Sequence, residues 1–351
     1  MKLLFFLNFL FIPYLHAQES NGILLLPRIS VDGDSGLGAG LDVALVNEWT
    51  LYGQSFVASD QHQSQFGLGF LHKKYNDFLY LSAFAGYSFH KHLMFYGYGN
   101  GTSRDDPTQY SLLRHLLRAR AGFYVFDNTI IGVGGAYEQT EIGSGNLEET
   151  RQFGHTYPSA PHRDGTIFRP IEVFLLYDTQ ASDFAPTQGS LFEFSYSQNL
   201  HQHAEPEFMR YLAQAQHILP LGNLSTSFLI RHERVWGGDT PFFGQARLGG
   251  ESYLRSFKPG RYTDFASILY GVEPRWIFWR PGGALERLEL SAGVEAGRVY
   301  NDGTLTILYD QLHISWIGGL TAVWSSGIPM RLDVASGPEG TLSYLHLFYP
   351  F

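Results

Sequence analysis

The position of Arg255 in the sequence suggests that it forms ion pairs with carboxylates. It lies in a long, glycine-rich connection, residues 237–264, and the carboxylates Glu273 and Glu295 follow it. A guanidinium offers five donors in a fixed fork that suits bidentate pairing with a carboxylate. If the connection folds back towards these glutamates, Arg255 anchors it there. The alternative is a solvated arginine and separate charges, which contribute little to stability.

Other patterns that could carry chemistry are weaker. A glycine run near the N-terminus lacks the spacing of a nucleotide-binding loop, and the segment 250–253 lacks the final glycine of a nucleophile elbow. The pairs His90/His92 and His201/His203 have the spacing of a metal site on a strand, but no carboxylate or cysteine clearly completes either one. Both pairs fall at predicted strand ends or turns, where we expect solvated histidines. The sequence therefore predicts no enzyme activity, no cofactor and no metal.

The composition favours strands in a membrane. Only 16% of the 351 residues are charged and 16% are aromatic, with 39 glycines and no cysteine; an average soluble protein has about 25% charged residues. Beyond the N-terminal signal, no apolar run approaches the roughly 18 residues of a membrane helix. Low charge with many aromatics is typical of strands that are apolar outside and polar inside. The net charge of −9 argues against nucleic-acid binding.

Short segments of alternating polarity would hold the charged side chains. Phe194 follows Glu193 in one such segment, and Leu290 follows Glu289 in another, which continues to Glu295. Strict period two with charge on one face predicts a strand between lipid and a polar lumen. A charge that faces lipid is costly, so these glutamates, like Glu273, are expected to face the lumen.

The chain as a whole predicts an all-β fold: a transmembrane antiparallel β-barrel of about sixteen strands, with a long extracellular loop folded into the lumen. The alternative is a soluble sandwich that buries its last strand. Short turns such as 127–128 alternate with long connections such as 143–167. The strands are predicted near residues 35–46, 51–59, 63–73, 77–89, 91–98, 110–125, 128–142, 168–180, 189–200, 207–219, 223–236, 265–280, 287–300, 312–325, 328–336 and 341–351.

The two ends of the chain predict export and insertion. Residues 1–17 have the charge, apolar core and cleavage region of a signal peptide, residues 18–34 form a short N-terminal segment, and residues 35–351 form the barrel. We expect the protein in the outer membrane of a Gram-negative-type bacterium. At the C-terminus every second residue suits lipid, and these residues are expected to form the insertion signal: Leu345, Leu347, Tyr349 and Phe351.

Several segments, in order along nearly the whole chain, resemble the BamA/TamA superfamily of bacterial surface antigens. The loop 248–262, LGGESYLRSFKPGRY, resembles the family loop that folds back into the barrel. The resemblance implies that Gly249, Gly250, Arg255 and Phe257 belong to that motif. Ser256 stands where the family has a glycine.

A second motif of the resemblance is a turn and strand at 177–197, YDTQASDFAPTQGSLFEFSYS. The matching turn positions are Asp178, Pro186, Thr187 and Gly189, whereas Gln188 stands where the family has arginine. Family members usually carry periplasmic POTRA domains before the barrel. Few residues precede the first predicted strand, so we expect a barrel-only member that lacks POTRA domains.

The resemblance implies a helper of insertion or translocation of protein or lipid at the outer membrane. The first and last strands of such a barrel pair weakly, and an unpaired strand edge can template another strand. A passive diffusion pore gated by the inward loop is the alternative, and an outer-membrane enzyme ranks last. The expected partners are outer-membrane lipids and client outer-membrane proteins or lipid, with no nucleic acid. The sequence leaves open which client binds and whether the barrel forms a homo-oligomer.

Overall fold

The computed structural model describes most of the chain: residues 22–32, 36–46, 50–58, 63–75, 78–145, 147, 150–181, 185–200, 205–301, 309–325, 327 and 329–346. Sixteen long strands form its wall, and two short ones, Arg151–Gln152 and Gly165–Phe168, complete an 18-stranded sheet. The wall strands are β1 (Gly22–Asp32), β2 (Gly36–Val46), β3 (Thr50–Ala58), β4 (Gln63–Tyr75), β5 (Leu79–Phe95), β6 (Thr108–Phe126), β7 (Thr129–Gly143), β8 (Pro170–Asp178), β9 (Gly189–Asn199), β10 (Met209–Leu221), β11 (Leu224–Trp236), β12 (Ala266–Trp279), β13 (Leu285–Tyr300), β14 (His313–Trp324), β15 (Pro329–Gly337) and β16 (Gly340–His346).

Each wall strand pairs antiparallel with the next one along the chain, from β1 and β2 to β15 and β16. Among the described residues, β1 and β16 pair with no second strand. An even-numbered antiparallel meander of this length is the wall of a transmembrane β-barrel. The structure thus confirms the predicted fold class.

The side chains of the wall alternate between the lumen and the outside. In β15, Met330, Leu332 and Val334 are exposed, whereas Arg331 and Asp333 are fully buried at 0% exposure. Charged side chains inside and apolar ones outside are the pattern that a bilayer imposes on a barrel. The inward positions predicted for the strand glutamates are confirmed, because all four are buried: Glu193, Glu273, Glu289 and Glu295.

The connections differ between the two ends of the barrel. Short turns such as 127–128 and 222–223 lie at the end where β1 begins, which we call the turn end. The long connections lie at the opposite end, the loop end: 96–107, 144–169 and 237–265. The last of these, which we call the lumen loop (residues 237–265), folds into the barrel as predicted.

The sequence missed the first strand of the wall; the strand predicted at 35–46 is β2. β1 occupies Gly22–Asp32, inside the segment 18–34 that was predicted to precede the barrel. Pro27 interrupts its pattern, and proline argues against a strand that is bonded on both sides because it has no N–H to donate. β1 bonds only to β2 among the described residues, with Pro27 opposite Leu41, so proline is tolerated.

The strands predicted at 77–89 and 91–98 are a single strand, β5. The register between β5 and β6 shifts between His90 and Leu93, so a bulge accommodates the polar residues that suggested a turn. His90 is 4% exposed and lies within the strand, contrary to the solvated position expected for it. The missed β1 and the split β5 cancel, which is why the predicted total of sixteen is confirmed although two boundaries are wrong.

Helical structure in the described residues is limited to one turn of α-helix, Phe153–Thr156, and a 3-10 turn, Phe242–Gly244. Neither these nor any other helix of the described residues has the length and apolar character needed to cross a membrane. The predicted signal peptide, residues 1–17, lies outside the described residues, as do His201 and His203.

Candidate functional site

The lumen loop enters the barrel as a folded lobe. It leaves β11 after Trp236 and joins β12 at Ala266, and a two-stranded ribbon, Ala246–Leu248 with Tyr262–Asp264, forms its base. The chain between the ribbon strands folds on itself: the N–H of Gly250 donates to the carbonyl of Phe257 at 2.9 Å. The family loop motif therefore lies within one compact lobe, residues 249–261.

The backbone of this lobe is tightly bent at two positions. Gly249 has φ +106°, and a Cβ there would lie 2.2 Å from the carbonyl oxygen of Lys258, so only glycine fits. Leu254 also has a positive φ, 53°, which a non-glycine residue keeps only when its surroundings force it. Its side chain is fully buried, so packing holds Leu254 in this conformation next to Arg255.

An apolar cluster seats the lobe against the wall. The lobe and its ribbon contribute Phe257, which is 1% exposed and whose ring centroid lies 5.4 Å from that of Tyr262. Burial of apolar surface favours this inward position over a solvated loop. The members of the cluster are Leu229, Leu248, Tyr253, Leu254, Phe257, Tyr262, Leu269 and Val299.

Arg255 is fully buried, and three carboxylates surround its guanidinium. Nε donates to Glu295 at 2.9 Å, Nη2 to Glu273 at 2.9 Å and Nη1 to Asp333 at 2.7 Å. The main-chain N–H of Arg255 donates to the second oxygen of Glu295 at 2.8 Å. The structure therefore brings Arg255 to both glutamates that the sequence suggested, and it adds Asp333.

A second buried arginine links the same carboxylates. Arg331 donates to both oxygens of Glu273, at 2.6 and 2.9 Å, and to Asp333 at 2.8 Å. It also reaches the hydroxyl of Ser291 at 3.2 Å. Glu273 and Asp333 are each shared between the two arginines, so the charges satisfy one another in a site without bulk water. Such a network fixes one arrangement, although its net contribution to stability is small.

Sequence reasoning missed Arg331 and Asp333. Their signal was present, because both alternate with the apolar residues of β15 and so face the lumen. Glu289, which was grouped with the lumen carboxylates, does face inward, and it pairs with Arg287 at 2.6 Å. Lumen position could thus be predicted from alternation, whereas the choice of partner required the three-dimensional structure.

The lumen loop is also bonded to the last strands. The hydroxyl of Tyr344, in β16, donates to the main-chain carbonyl of Arg255 at 2.8 Å. The N–H of Ser256 donates to the hydroxyl of Ser315, in β14, at 2.8 Å. Ser256 therefore occupies the family's glycine position with its backbone satisfied, and the loop tip contacts both flanks of β15.

A second arginine of the loop binds the turn between β15 and β16. Nε of Arg261 lies 2.8 and 3.0 Å from the two carboxylate oxygens of Glu339, and Nη1 donates to the hydroxyl of Thr102 at 2.7 Å. Its guanidinium lies 4.5 Å from the ring centroid of Tyr262. Arg261 thus joins the lumen loop to the connection 96–107 and to the β15–β16 turn.

Aromatic packing holds the outer part of the loop. Phe242 is fully buried, and its ring centroid lies 3.9 Å from that of Phe153, 4.9 Å from Tyr110 and 5.2 Å from Phe95. These residues come from the connection 144–169 and from strands β5 and β6. The loop end is therefore covered by connections that pack on one another.

The family turn motif lies between β8 and β9 at the turn end. A carboxylate oxygen of Asp178 accepts the N–H of Gln180 at 2.9 Å, as an aspartate does in an Asx turn. Gly189 has φ +110°, and a Cβ there would lie 2.4 Å from the carbonyl oxygen of Thr179. The glycine thus permits the close start of β9.

The middle of this turn faces the lumen. Pro186 is buried and Thr187 half-buried. The inward guanidinium of Arg287 donates to the carbonyl of Ala185 at 3.0 Å. The structure does not bring the turn motif to Arg255; each motif meets the lumen from its own end of the barrel.

The predicted C-terminal insertion signal lies mostly outside the described residues. Leu345 is opposite Leu332 in β15, which is 45% exposed, so both face outward. Leu347, Tyr349 and Phe351 lie beyond the last described residue. Their role in insertion stays a prediction.

The fold and the buried arginine network define a class of protein: a membrane β-barrel with a loop fixed in its lumen. A family model, the Omp85 superfamily domain, matches residues 38–348. The chain belongs to the Omp85 superfamily, in agreement with the family resemblance of its segments. This membership implies an outer-membrane protein of a Gram-negative bacterium.

Solved structures share the fold. BamA from Haemophilus ducreyi, lacking POTRA domains 1–3, is 15% identical with a TM-score of 0.62, over 94% of this chain and 69% of that one. CdiB from Escherichia coli is 11% identical with a TM-score of 0.62, and CdiB from Acinetobacter baumannii is 10% identical with a TM-score of 0.53. This chain is covered to 92% in both, and it spans 61% and 59% of the two CdiB chains. No curated protein matches the chain.

Proposed function

We propose that this protein assists the insertion or translocation of protein or lipid at the outer membrane, through the seam between β1 and β16. A client strand would pair with the edge of the seam through main-chain hydrogen bonds, and a lipid would pass between the two strands; neither route needs a catalytic residue. We propose accordingly that the protein is not an enzyme. The family membership and the BamA-like and CdiB-like fold support the general role.

The observation that carries the proposal is the double attachment of the lumen loop. Arg255 binds carboxylates on β12, β13 and β15 through its guanidinium, while its carbonyl accepts the hydroxyl of Tyr344 on β16. A movement of the last strand therefore strains the loop, and a movement of the loop releases the last strand. In the described residues the free edge of β16 pairs with no other strand, and such an edge is a template for another strand.

A crosslinking experiment tests this role. A photoreactive residue replaces Leu345, which faces outward on β16, and, as the matched control, Phe228, which is 43% exposed on the distant strand β11. We expect crosslinks to newly exported outer-membrane proteins or to lipid-linked products at position 345 and not at 228. Equal capture at both positions, or none at 345 during active export, would contradict the proposal.

A passive diffusion pore gated by the lumen loop is the second candidate, and the polar wall of the lumen favours it. Arg118 and Arg120 both donate to Glu172, at 2.8 and 2.7 Å, and Arg120 also lies 3.5 Å from Glu193. Planar-bilayer recordings discriminate the two candidates. Large steady currents from the wild-type protein favour the pore, whereas a mostly closed barrel favours the insertion role.

A further inference from the structure

A polar and aromatic group lies on the outside of the wall, where β10 to β13 approach the loop end. His232 is hydrogen-bonded through its ring nitrogens to the hydroxyls of Tyr211, at 2.5 Å, and Tyr300. His232 and Tyr300 meet across the intervening strand β12 and cover Ala266 and Ile268. The polar groups of Tyr211, His232 and Tyr300 therefore hydrogen-bond to one another, and we call these three residues the platform.

Two arginines flank the platform. Arg234 lies opposite Tyr211 on one side and Ala266 on the other, and Arg298 lies opposite Ile268. Neighbouring strands are about 4.8 Å apart, and Arg298 lies two residues along the strand from the row of Arg234, so these two positions are roughly 12 Å apart, within reach of two long side chains that share a ligand.

Neither arginine pairs with a carboxylate among the residues that the structure describes. The guanidinium carbon of Arg234 lies 5.7 Å from the ring centroid of Trp236. Arg298 is 9% exposed, and its guanidinium carbon lies 5.9 Å from the ring centroid of Tyr300. Its Nη1 donates to the carbonyl of Asp310 at 2.8 Å, while its buried Nε finds no hydrogen-bond partner among the described residues. Most other arginines of the described wall and loops do pair with carboxylates. In the part of the chain that the structure describes, these two cations have no carboxylate partner, and burial of an unpaired charged group is costly.

The platform lies at the border of the apolar band that is nearer the loop end. Directly towards the turn end, the outward residues of β11 are Ile230 and Phe228, which are 44% and 43% exposed. Towards the loop end lies Trp236, and tyrosines and tryptophans at this level form the interface girdle of a membrane barrel. Lipid headgroups are found at this depth, and arginine forks suit their phosphate oxygens.

We propose that this surface binds the phosphate group of an outer-leaflet lipid, held between Arg234 and Arg298. The phosphate supplies the counter-charge that neither guanidinium finds among the described residues, and the Tyr211–His232–Tyr300 platform fixes the spacing of the strands beneath it. Acyl chains then lie along the apolar wall below, beside Ile230. The occupant is a lipid and not a free anion, because the site opens on the membrane face of the barrel.

The test is native mass spectrometry of the purified full chain with bisphosphorylated lipid A as the probe. The variants are Arg234→Gln, Arg298→Gln and the double variant. The matched control is Arg280→Gln, an exposed arginine at the turn end of β12. An arginine near a lipid surface contributes about 1 kcal/mol, so each single variant should bind lipid A about fivefold more weakly and the double variant about thirtyfold. The control should bind as wild type.

Heat-modifiable gel mobility shows whether each variant is folded. If Arg298→Gln does not fold, the lipid A binding of Arg234→Gln tests the proposal. Wild-type binding by the folded variants overturns the proposal. Equal binding of dephosphorylated lipid A also overturns it, because the contact would then come from acyl chains alone. Displacement of lipid A by millimolar inorganic phosphate shows a free-anion site and overturns the assignment to a lipid.

Discussion

The hydroxyl of Tyr344 donates a 2.8 Å hydrogen bond to the main-chain carbonyl of Arg255. The strand β16 that carries Tyr344 is the last of the wall, and Arg255 lies at the centre of the buried charge network in the lumen. This hydrogen bond thus connects the lumen loop with the last strand of the wall. In the proposed function, opening of the seam would break this bond, so we expect opening of the seam and release of the loop to be coupled.

Arg255→Ala should destabilise the folded barrel by about 3–5 kcal/mol, because it leaves buried carboxylates without their partner. Glu295 loses the most, since only Arg255 donates to it in the network of described residues. Urea denaturation in detergent, followed by heat-modifiable mobility, measures the change. Arg280→Ala, at an exposed site, should be neutral within about 0.5 kcal/mol.

Arg255→Lys should recover only part of that loss. An ammonium keeps the charge but cannot present three separate N–H groups to Glu273, Glu295 and Asp333 in one plane. Stability equal to wild type in the lysine variant would show that charge alone holds the loop, and the argument from geometry would be wrong.

Tyr344→Phe should lower the free energy of unfolding by about 0.5–1.5 kcal/mol, the contribution of a single hydrogen bond. The ring stays in place, so packing is kept while the bond to Arg255 is lost. In the seam-crosslinking assay at position 345, the Phe variant should capture more client, because the last strand is less restrained. A matched control is Tyr309→Phe, whose side chain is 72% exposed.

Gly249→Ala should loosen the lobe of the lumen loop. A Cβ at this position would lie 2.2 Å from the carbonyl of Lys258, with φ at +106°. Strain of this kind costs on the order of 1–3 kcal/mol. Gly238→Ala is the control within the same loop, because its Cβ would meet nothing within 4 Å. Limited proteolysis should cut the loop faster in Gly249→Ala alone; equal rates in both variants would contradict the prediction.

Much of this site could be predicted because a membrane barrel alternates strictly. Alternation predicts that Glu273 and Glu295 face the lumen. The arginine in the middle of the long loop is the cation that was predicted to pair with them. Arg331 and Asp333 obey the same alternation on the strand predicted near 328–336, and they were nevertheless missed as partners of Arg255, because alternation gives the face of a side chain and not its partner. The alternation that puts Leu345 outward also puts Tyr344 on the face away from lipid, where it is fully buried.

The contacts of Tyr344 could not be predicted, because they depend on how deep the loop tip reaches. Likewise β1 was missed, because residues 18–34 were assigned to a segment before the barrel; its Pro27 is tolerated since β1 bonds only to β2 among the described residues. His90 was predicted to lie at a strand end or turn, whereas the strand continues through it with a bulge between His90 and Leu93. In both cases the pairing with a neighbouring strand, which the local sequence does not reveal, determines whether the segment is a strand.

Deletion of Phe351 should lower the amount of folded protein in the outer membrane. The expected reason is loss of an aromatic residue at the periplasmic girdle, where the last strand begins its insertion. Heat-modifiable mobility of membrane fractions measures the folded share. Replacement by Trp, which keeps an aromatic ring, is the control and should restore the share; wild-type levels after deletion would mean that the terminus has no part in insertion.

The central claim is that Arg255 pins the lumen loop inside the barrel, and cysteine labelling in intact cells tests it most directly. The chain has no cysteine, so Ser256→Cys is a unique probe next to the arginine. Ser256 is 2% exposed, whereas the side chain of Asp105, at the loop end, is 84% exposed, so Asp105→Cys is the accessible control. A membrane-impermeant maleimide should label position 105 rapidly in every background. It should label position 256 slowly when Arg255 is present and at least tenfold faster after Arg255→Ala, since about 3 kcal/mol of lost pinning is more than a factor of 100 in the open population. Equally fast labelling of Cys at 256 with and without Arg255 would show a surface loop and contradict the account.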